Sequence, residues 1–352
     1  LRDLADSSPL LDFGSFGRSG RGLELPLVVA DARGRFEAAD HAARADHTVL
    51  LVQACIHAGE SCGKDAGMLL LRDIAENRDG AAALLERVTL VFIPIFNLDG
   101  HDRFGPHNRI NQNGPEEMGW RVTSRNQNLN RDYLKADTPE MRAWHRLFQT
   151  WLPDFFIDIH STDGADYQYP ITYSLETRGN MDPGLTEWTL RYEEAMIGRM
   201  ADDGHLLGPY VAFKDWHDPR SGMAAWVATP RFSQGYTALQ NRPGLLVETH
   251  MLKPYPVRVE TSGRLVRHTM AWMNENGKEL RRLNLEADTR SASPDFRADP
   301  FPLAFERTDS TTAFDFAGFP YETVTSEVTG GEYHVYGDEP TTMQLDFYEH
   351  LT

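Results

Sequence analysis

Two cysteines in 352 residues, Cys55 and Cys62, cannot knit a disulfide framework, and their spacing is not that of a zinc knuckle. Cys55 lies in an apolar run and reads as a small packed side chain. No apolar run approaches the ~20 residues that span a bilayer, so no membrane span is expected. Cationic residues are scarce: 35 Lys and Arg face 52 Asp and Glu, a formal charge of −17. A nucleic-acid partner calls for a basic face, and this balance argues against one. No internal repeat or low-complexity tract is present. The chain opens at Leu1 without an apolar leader, as a processed or excised chain would. What remains is an ordinary globular composition, 41% hydrophobic and 25% charged.

The rest of the chain is arranged around Leu50-Leu-Val-Gln-Ala-Cys-Ile-His57-Ala-Gly-Glu60. Apolar residues run almost unbroken from Val49 to Ile56, the mark of a buried strand. Ala66, Leu69, Leu70 and Ile74 follow at helical spacing, so a helix is expected to begin near Glu60. His57 and Glu60 then fall at a strand-to-helix turn, at the carboxyl end of a strand, where open α/β sheets keep their ligands. A His-x-x-Glu pair alone is common and carries little. Three more apolar runs end in the same way, at Asn97, His160 and Glu248. Residues without a shared role would be scattered along the strands.

The remaining segments frame these four ends. Gly17-x-Ser19-x-x-Gly22 reads as a glycine-rich turn leading into a strand. It is not a phosphate loop, because no Gly-Lys-Ser/Thr follows and the strand comes after the glycines. Residues 101–125 show little periodicity and much Asn, Gly and Arg, a long loop of the functional kind. Thr138-Pro139-Glu140 caps a helix whose apolar stripe is Met141, Trp144, Phe148 and Trp151. Another helix starts at Asp182-Pro183 and closes at Gly204. Residues 205–240 are irregular, and a long helix is expected from about Val257 to Leu285. Beyond Ser291, short β-type runs at 302–305, 314–316 and 333–336 suggest a small, incomplete β module. The expected architecture is α/β: a mixed, largely parallel central sheet flanked by helices over 1–290, with a β-rich extension over 291–352.

Two imidazoles and one carboxylate are the ligand set of a catalytic zinc that keeps a fourth position for water. A close pair from one turn and a distant histidine from another strand suit that set. In this order the motifs resemble those of zinc metallocarboxypeptidases of the carboxypeptidase A type, the funnelins, over roughly residues 9–256. His57-x-x-Glu60 resembles the first two zinc ligands and His160 the third, which implies one Zn²⁺ per chain. Asn97-Leu98-Asp99-Gly100 resembles the family's Asn-Pro-Asp-Gly turn. Trp120-Arg121 resembles the site of the arginine that polarises the scissile carbonyl, with Arg125 a competitor for that role. Asn130-Arg131 resembles the pair that grips a substrate's terminal carboxylate, and Glu248 the catalytic glutamate. Tyr236 is the candidate for the family's substrate-covering tyrosine.

The resemblance implies a carboxypeptidase-like fold and hydrolysis of the C-terminal bond of peptides with a free carboxylate. Glu248 would take a proton from a zinc-activated water and pass it to the leaving amine, while zinc and Arg121 hold the oxyanion. It also favours a periplasmic or secreted setting. Two positions depart from the pattern. Asn128 stands where the family often has an aspartate behind the first zinc histidine, and Leu23 replaces an arginine of the opening motif. The same residues also resemble zinc-dependent deacylases of N-acyl amino acids and enzymes that trim cell-wall peptides. An inactive relative serving as a binding module would be expected to have lost Glu248 or a ligand. The residue that would line the specificity pocket falls in the irregular 205–245 stretch.

Overall fold

A short helix, α1 (Arg2–Asp6), leads into a hairpin of β1 (Leu11–Arg18) and β2 (Glu24–Ala30). Then come β3 (Thr48–Ala54), α2 (Cys62–Ala75), β4 (Val88–Ile93), α3 (Leu98–His101), α4 (Pro139–Trp151), β5 (Phe155–Thr162) and β6 (Ile171–Leu175). They are followed by α5 (Pro183–Asp202), the short strands β7 (Leu207–Pro209), β8 (Phe213–Asp215) and β9 (Asp218–Ala224), α6 (Ser233–Leu239) and β10 (Gly244–His250). Last are α7 (Tyr255–Ala292), β11 (Thr312–Gly318), β12 (Tyr321–Thr325), β13 (Glu332–Tyr336) and β14 (Thr341–Tyr348). This computed structural model describes residues 1–41, 46–162, 164–216, 218–298 and 300–349.

The main sheet has eight strands in the order β1-β2-β4-β3-β5-β10-β6-β7. Its centre, β4, β3, β5 and β10, is parallel, and β2 and β6 flank it antiparallel. Helices cover both faces, which is why the central strands read as unbroken apolar runs instead of alternating ones. Leu50 and Val52 pack toward α2, α5 and α7 with Leu70, Trp188 and Met270. Val49 and Leu51, one residue out of step, pack toward α4 with Met141, Trp144 and Phe148. The expected mixed, largely parallel sheet between helices is what the chain forms.

Local signals set the element ends. Thr138 Oγ1 accepts the Met141 N–H at 3.1 Å, capping α4 behind Pro139. α2 begins at Cys62, later than the spacing suggests, and Glu60 is left in the turn facing the histidines. α7 runs on to Ala292, well past the expected Leu285, and stops where Pro294 forces Ser293 into an extended conformation.

The C-terminal strands share a sheet with earlier segments of the chain. β11 and β14 complete the order β11-β14-β9-β8, so half of that sheet comes from the 205–240 stretch. Its core is Tyr167, Tyr169, Met223, Phe316 and Leu345. Residues 302–305 form no strand, although 314–316 and 333–336 lie within β11 and β13. No helix among the described residues is long and apolar enough to cross a membrane.

One buried carboxylate pins the sheet edge. Asp31, just after β2, accepts from Thr89 Oγ1 at 2.5 Å and from Arg33 Nη2 at 2.9 Å, with His47 Nε2 3.4 Å away. His41 also gathers there, but its Nε2 contacts the Arg35 carbonyl at 3.0 Å and both Asp31 oxygens are engaged, so the cluster is a polar pin. Burial raises the Asp31 carboxyl, yet His47, Arg33 and Thr89 outweigh it and hold the group far below the usual range. A depressed folded-state value means the stabilisation is complete above the unfolded value near 4 and is lost as pH falls below it. Asp31→Asn should therefore lower unfolding stability by about 1.5–3 kcal/mol at neutral pH, and the difference from wild type should shrink in acid. Denaturant titrations at several pH values check both.

Candidate active site

The four strand ends converge because β4, β3, β5 and β10 are parallel neighbours, so their carboxyl ends share one edge of the sheet. β3 gives way to Cys55, whose φ of +57° is a left-handed conformation unusual for a side-chain-bearing residue. That bend delivers His57 and Glu60 to the sheet edge, where both are buried. His160 sits within β5, and Glu248 of β10 pairs with it in register, so the two side chains share a face. Glu248 is half-buried, and its charge reaches the His160 ring.

His57, Glu60 and His160 each offer a donor atom, and these atoms lie within 4.8 Å of one another. Glu60 bridges the rings: Oε1 is 3.2 Å from His57 Nδ1, and Oε2 is 3.1 Å from His160 Nδ1. The far nitrogens face other side chains. His57 Nε2 donates to Asn128 Oδ1 at 3.1 Å, and His160 Nε2 lies 2.9 Å from Asp158 Oδ2. Both Nδ1 atoms therefore face the carboxylate, and buried His57 Nδ1 has no hydrogen-bond partner. Two imidazole nitrogens and a carboxylate, pre-oriented and dry, suit zinc and its open fourth position.

The electrostatics of the triad favour a cation. Burial raises the Glu60 carboxyl, but the charges of His57 and Arg109 and the hydrogen bond from His160 hold it well below the carboxylate range. His57 is pushed down by burial. Burial opposes the charge on His160 too, but Asp158 and Glu60 carry its value well above the ordinary one. The amide of Asn128 fills the place behind His57, and the carboxylate support stands behind the other histidine, at Asp158. Gln53 Nε2 fixes Asp158 Oδ1 at 2.9 Å.

The loop over 101–125 folds against this turn, and two of its residues were not singled out by sequence. Arg109, buried, places Nη1 2.9 Å from Glu60 Oε1, and Gln112 Nε2 donates to the Gly59 carbonyl at 3.0 Å. Gly59 makes room for this: a Cβ there would come within 2.6 Å of Arg109 Cγ. Arg121 reaches the same Glu60 oxygen at 3.2 Å from a half-exposed position. Among the described residues Arg125 makes no ion pair with Glu60, where Arg109 and Arg121 do. The Asn97 turn holds this together. Asn97 Nδ2 donates to the Arg121 carbonyl at 3.1 Å, and Asp99 accepts from Ser19 Oγ and Ser124 Oγ at 2.5 Å each. The glycine-rich turn is thus a lock on Asp99.

The sequence of residues 1–258 matches the family described as zinc carboxypeptidase. This chain belongs to the zinc carboxypeptidase family. Among curated proteins it is 27% identical over 173 residues to a "Probable carboxypeptidase 2" of Trichophyton verrucosum (strain HKI 0517), covering 46% of this chain and 30% of that protein. "Carboxypeptidase 2" of Trichophyton rubrum is also 27% identical, with 46% and 29% covered. The chain thus spans about a third of the length of these curated relatives. Among solved structures, a metallo-carboxypeptidase from Pseudomonas aeruginosa in complex with (2-guanidinoethylmercapto)succinic acid superposes with a TM-score of 0.57 at 17% identity, over 79% of this chain and 67% of that one. A metallo-carboxypeptidase from Burkholderia cenocepacia gives 0.56 at 17% identity, over 78% and 67%. At such identity the likeness is one of fold.

Against that family pattern, Asn130 and Arg131 occupy a short 3₁₀ turn directly after Asn128, whose Oδ1 also accepts the Asn130 N–H at 3.0 Å. Arg131 lies within electrostatic reach of Arg121. Tyr236, the sequence candidate for the substrate-covering tyrosine, is half-buried. Its hydroxyl contacts His145 Nδ1 at 2.9 Å and its ring packs among Tyr133, Trp144 and Phe148, an aromatic layer under the sheet. Tyr210, just past β7, is instead near Arg131 and has no local sequence signal. His250 pins the 164–167 segment, with Nε2 3.0 Å from Asp166 Oδ1.

Proposed function

We propose that this chain is a zinc-dependent carboxypeptidase that removes the last residue of peptides with a free C-terminal carboxylate. The observation that carries the reading is Arg131. It adjoins the turn that holds His57, and among the described residues it has no carboxylate partner. A half-buried guanidinium without an anion, beside a hydrolytic ligand set, is suited to a carboxylate brought by substrate.

His57, Glu60 and His160 would hold the zinc. A zinc in such a site supplies a water acidified to a pKa of about 7. Glu248, beside His160 on the same face, takes the proton and returns it to the leaving amine. Arg121 turns a guanidinium N–H from Glu60 to the carbonyl oxygen that gains charge. Arg109 remains on Glu60 from the buried side, so this carboxylate stays compensated when Arg121 turns away. Asn130 and Arg131 hold the terminal carboxylate, which would bring the last peptide bond to the site formed by His57, Glu60 and His160 and make the enzyme an exopeptidase. The catalytic unit spans 1–290, and residues 291–352 complete its peripheral sheet.

Arg131→Ala should lower kcat/KM at least about tenfold on free-carboxylate peptides, because a charge-assisted contact is worth more than ~1.5 kcal/mol. The same peptides with amidated ends should be poor substrates of the wild type, and the variant should barely distinguish the two forms. Equal wild-type cleavage of amidated and free peptides would refute the reading.

A further inference from the structure

Phe232, the residue before α6, carries two guanidiniums on its ring. Arg131 Cζ lies 4.6 Å from the ring centroid and Arg231 Cζ 5.5 Å. Such cation–π contacts hold a guanidinium in place without neutralising it. Among the described residues neither arginine is ion-paired with a carboxylate. Other arginines of this chain are paired: Arg109 with Glu60 at 2.9 Å, and Arg242 with Asp288 at 2.8 Å. Burial, followed by the charges of Arg231 and Arg121, holds the Arg131 guanidinium below its usual value. In a chain of formal charge −17, this is a local inversion of sign. Like charges kept together without partners are relieved by an anionic ligand, and two of them by a ligand with two anionic groups.

The α-carboxylate of a substrate accounts for Arg131 alone. We propose that Arg231 is a specificity residue, and that the Arg131–Arg231 pair selects peptides whose final residue is aspartate or glutamate. The α-carboxylate sits on Arg131 and the side-chain carboxylate on Arg231, the two guanidiniums held by the Phe232 ring. An apolar final residue leaves Arg231 unpaired, and a basic one is repelled. The inference rests on the carboxypeptidase reading and adds a substrate class to it.

The test compares peptides that differ only in their last residue, Glu, Gln, Leu or Lys, hydrolysed by the zinc-reconstituted protein. Glu and Gln have nearly the same shape, so their ratio isolates the charge. At low salt kcat/KM should favour Glu over Gln by about five- to tenfold, the range of a partly exposed ion pair up to a charge-assisted one. Added salt should shrink the ratio. Arg231→Gln should bring it to about one, and Arg231→Glu should shift preference toward Lys. Arg231 is exposed, so these replacements should leave the fold intact. A wild type that handles Gln as well as Glu overturns the proposal, as does a Glu preference that survives Arg231→Gln. Calorimetry with N-acetyl-L-glutamate and N-acetyl-L-glutamine supplies an arm that needs no turnover. Tighter binding of the glutamate, equalised in Arg231→Gln, supports the assignment, and equal binding to wild type overturns it. Indifference to C-terminal amidation would sink the carboxypeptidase reading and leave this calorimetric result to decide the role of Arg231.

Discussion

Glu248→Gln should lower turnover by roughly 10²–10⁴ while the zinc content stays at the wild-type level, because the change keeps the size and removes the proposed base. Glu248 is beside His160 in register but outside the triad of donors, so metal retention and proton transfer separate at this position. It is half-buried in a strand whose other residues are almost all enclosed, so it is both held and reachable. Glutamine preserves the shape and can still hydrogen-bond, which limits any loss of stability to a small part of the effect. Steady-state kcat and elemental analysis on the same preparation check the prediction. Near-normal turnover in the variant would remove Glu248 from the mechanism. His250 would not inherit the role readily, since its ring is committed to Asp166.

His160→Ala should abolish tight zinc binding, where the wild type should hold about one zinc per chain. The loss has two parts: one of three ligands is gone, and Glu60 and Asp158 are left close together without the imidazole between them. Asp158→Asn is the finer probe. It keeps all three ligands and removes only the carboxylate that orients and polarises His160, so zinc affinity should fall about 10–100-fold. Competition with a chromogenic chelator measures both. Thermal melts give a second readout, because a ligand that binds only the native state raises its Tm. Zinc should raise the wild-type Tm, raise that of Asp158→Asn less at equal concentration, and leave His160→Ala unchanged. A wild type that holds no zinc after reconstitution and dialysis would refute the site, and an Asp158→Asn protein of undiminished affinity would remove Asp158 from it.

The sequence by itself determined the parts of this protein that are written locally. A parallel strand covered on both faces is largely apolar, so β3, β4, β5 and β10 stand out as apolar-rich runs. A polar residue that ends such a run is at the carboxyl edge of the sheet whatever the order of the strands. His57, Glu60, His160 and Glu248 could be grouped on that basis before any coordinates, and the Pro139 and Pro183 helix starts followed from capping chemistry alone.

Tertiary structure decided what depends on groups far apart in the chain. Arg109 meets Glu60 across 49 positions only because Gly59 leaves room, and nothing in the spacing of either announces it. Asp158 looked like one more residue of a strand until its oxygen proved to face His160. Sequence favoured Arg121 and left Arg125 as a competitor; the Asn97 side chain, bonded to the Arg121 carbonyl, fixes the backbone at Arg121, whose side chain reaches Glu60. Tyr236 packs against three aromatic residues from distant segments, contacts that its own stretch does not announce. The C-terminal strands could not be placed from their own pattern, because their sheet is completed by β8 and β9, a hundred residues earlier in a stretch without periodicity. In each case the deciding contact is long-range, and side-chain periodicity reports only which way a residue faces, not what it meets there.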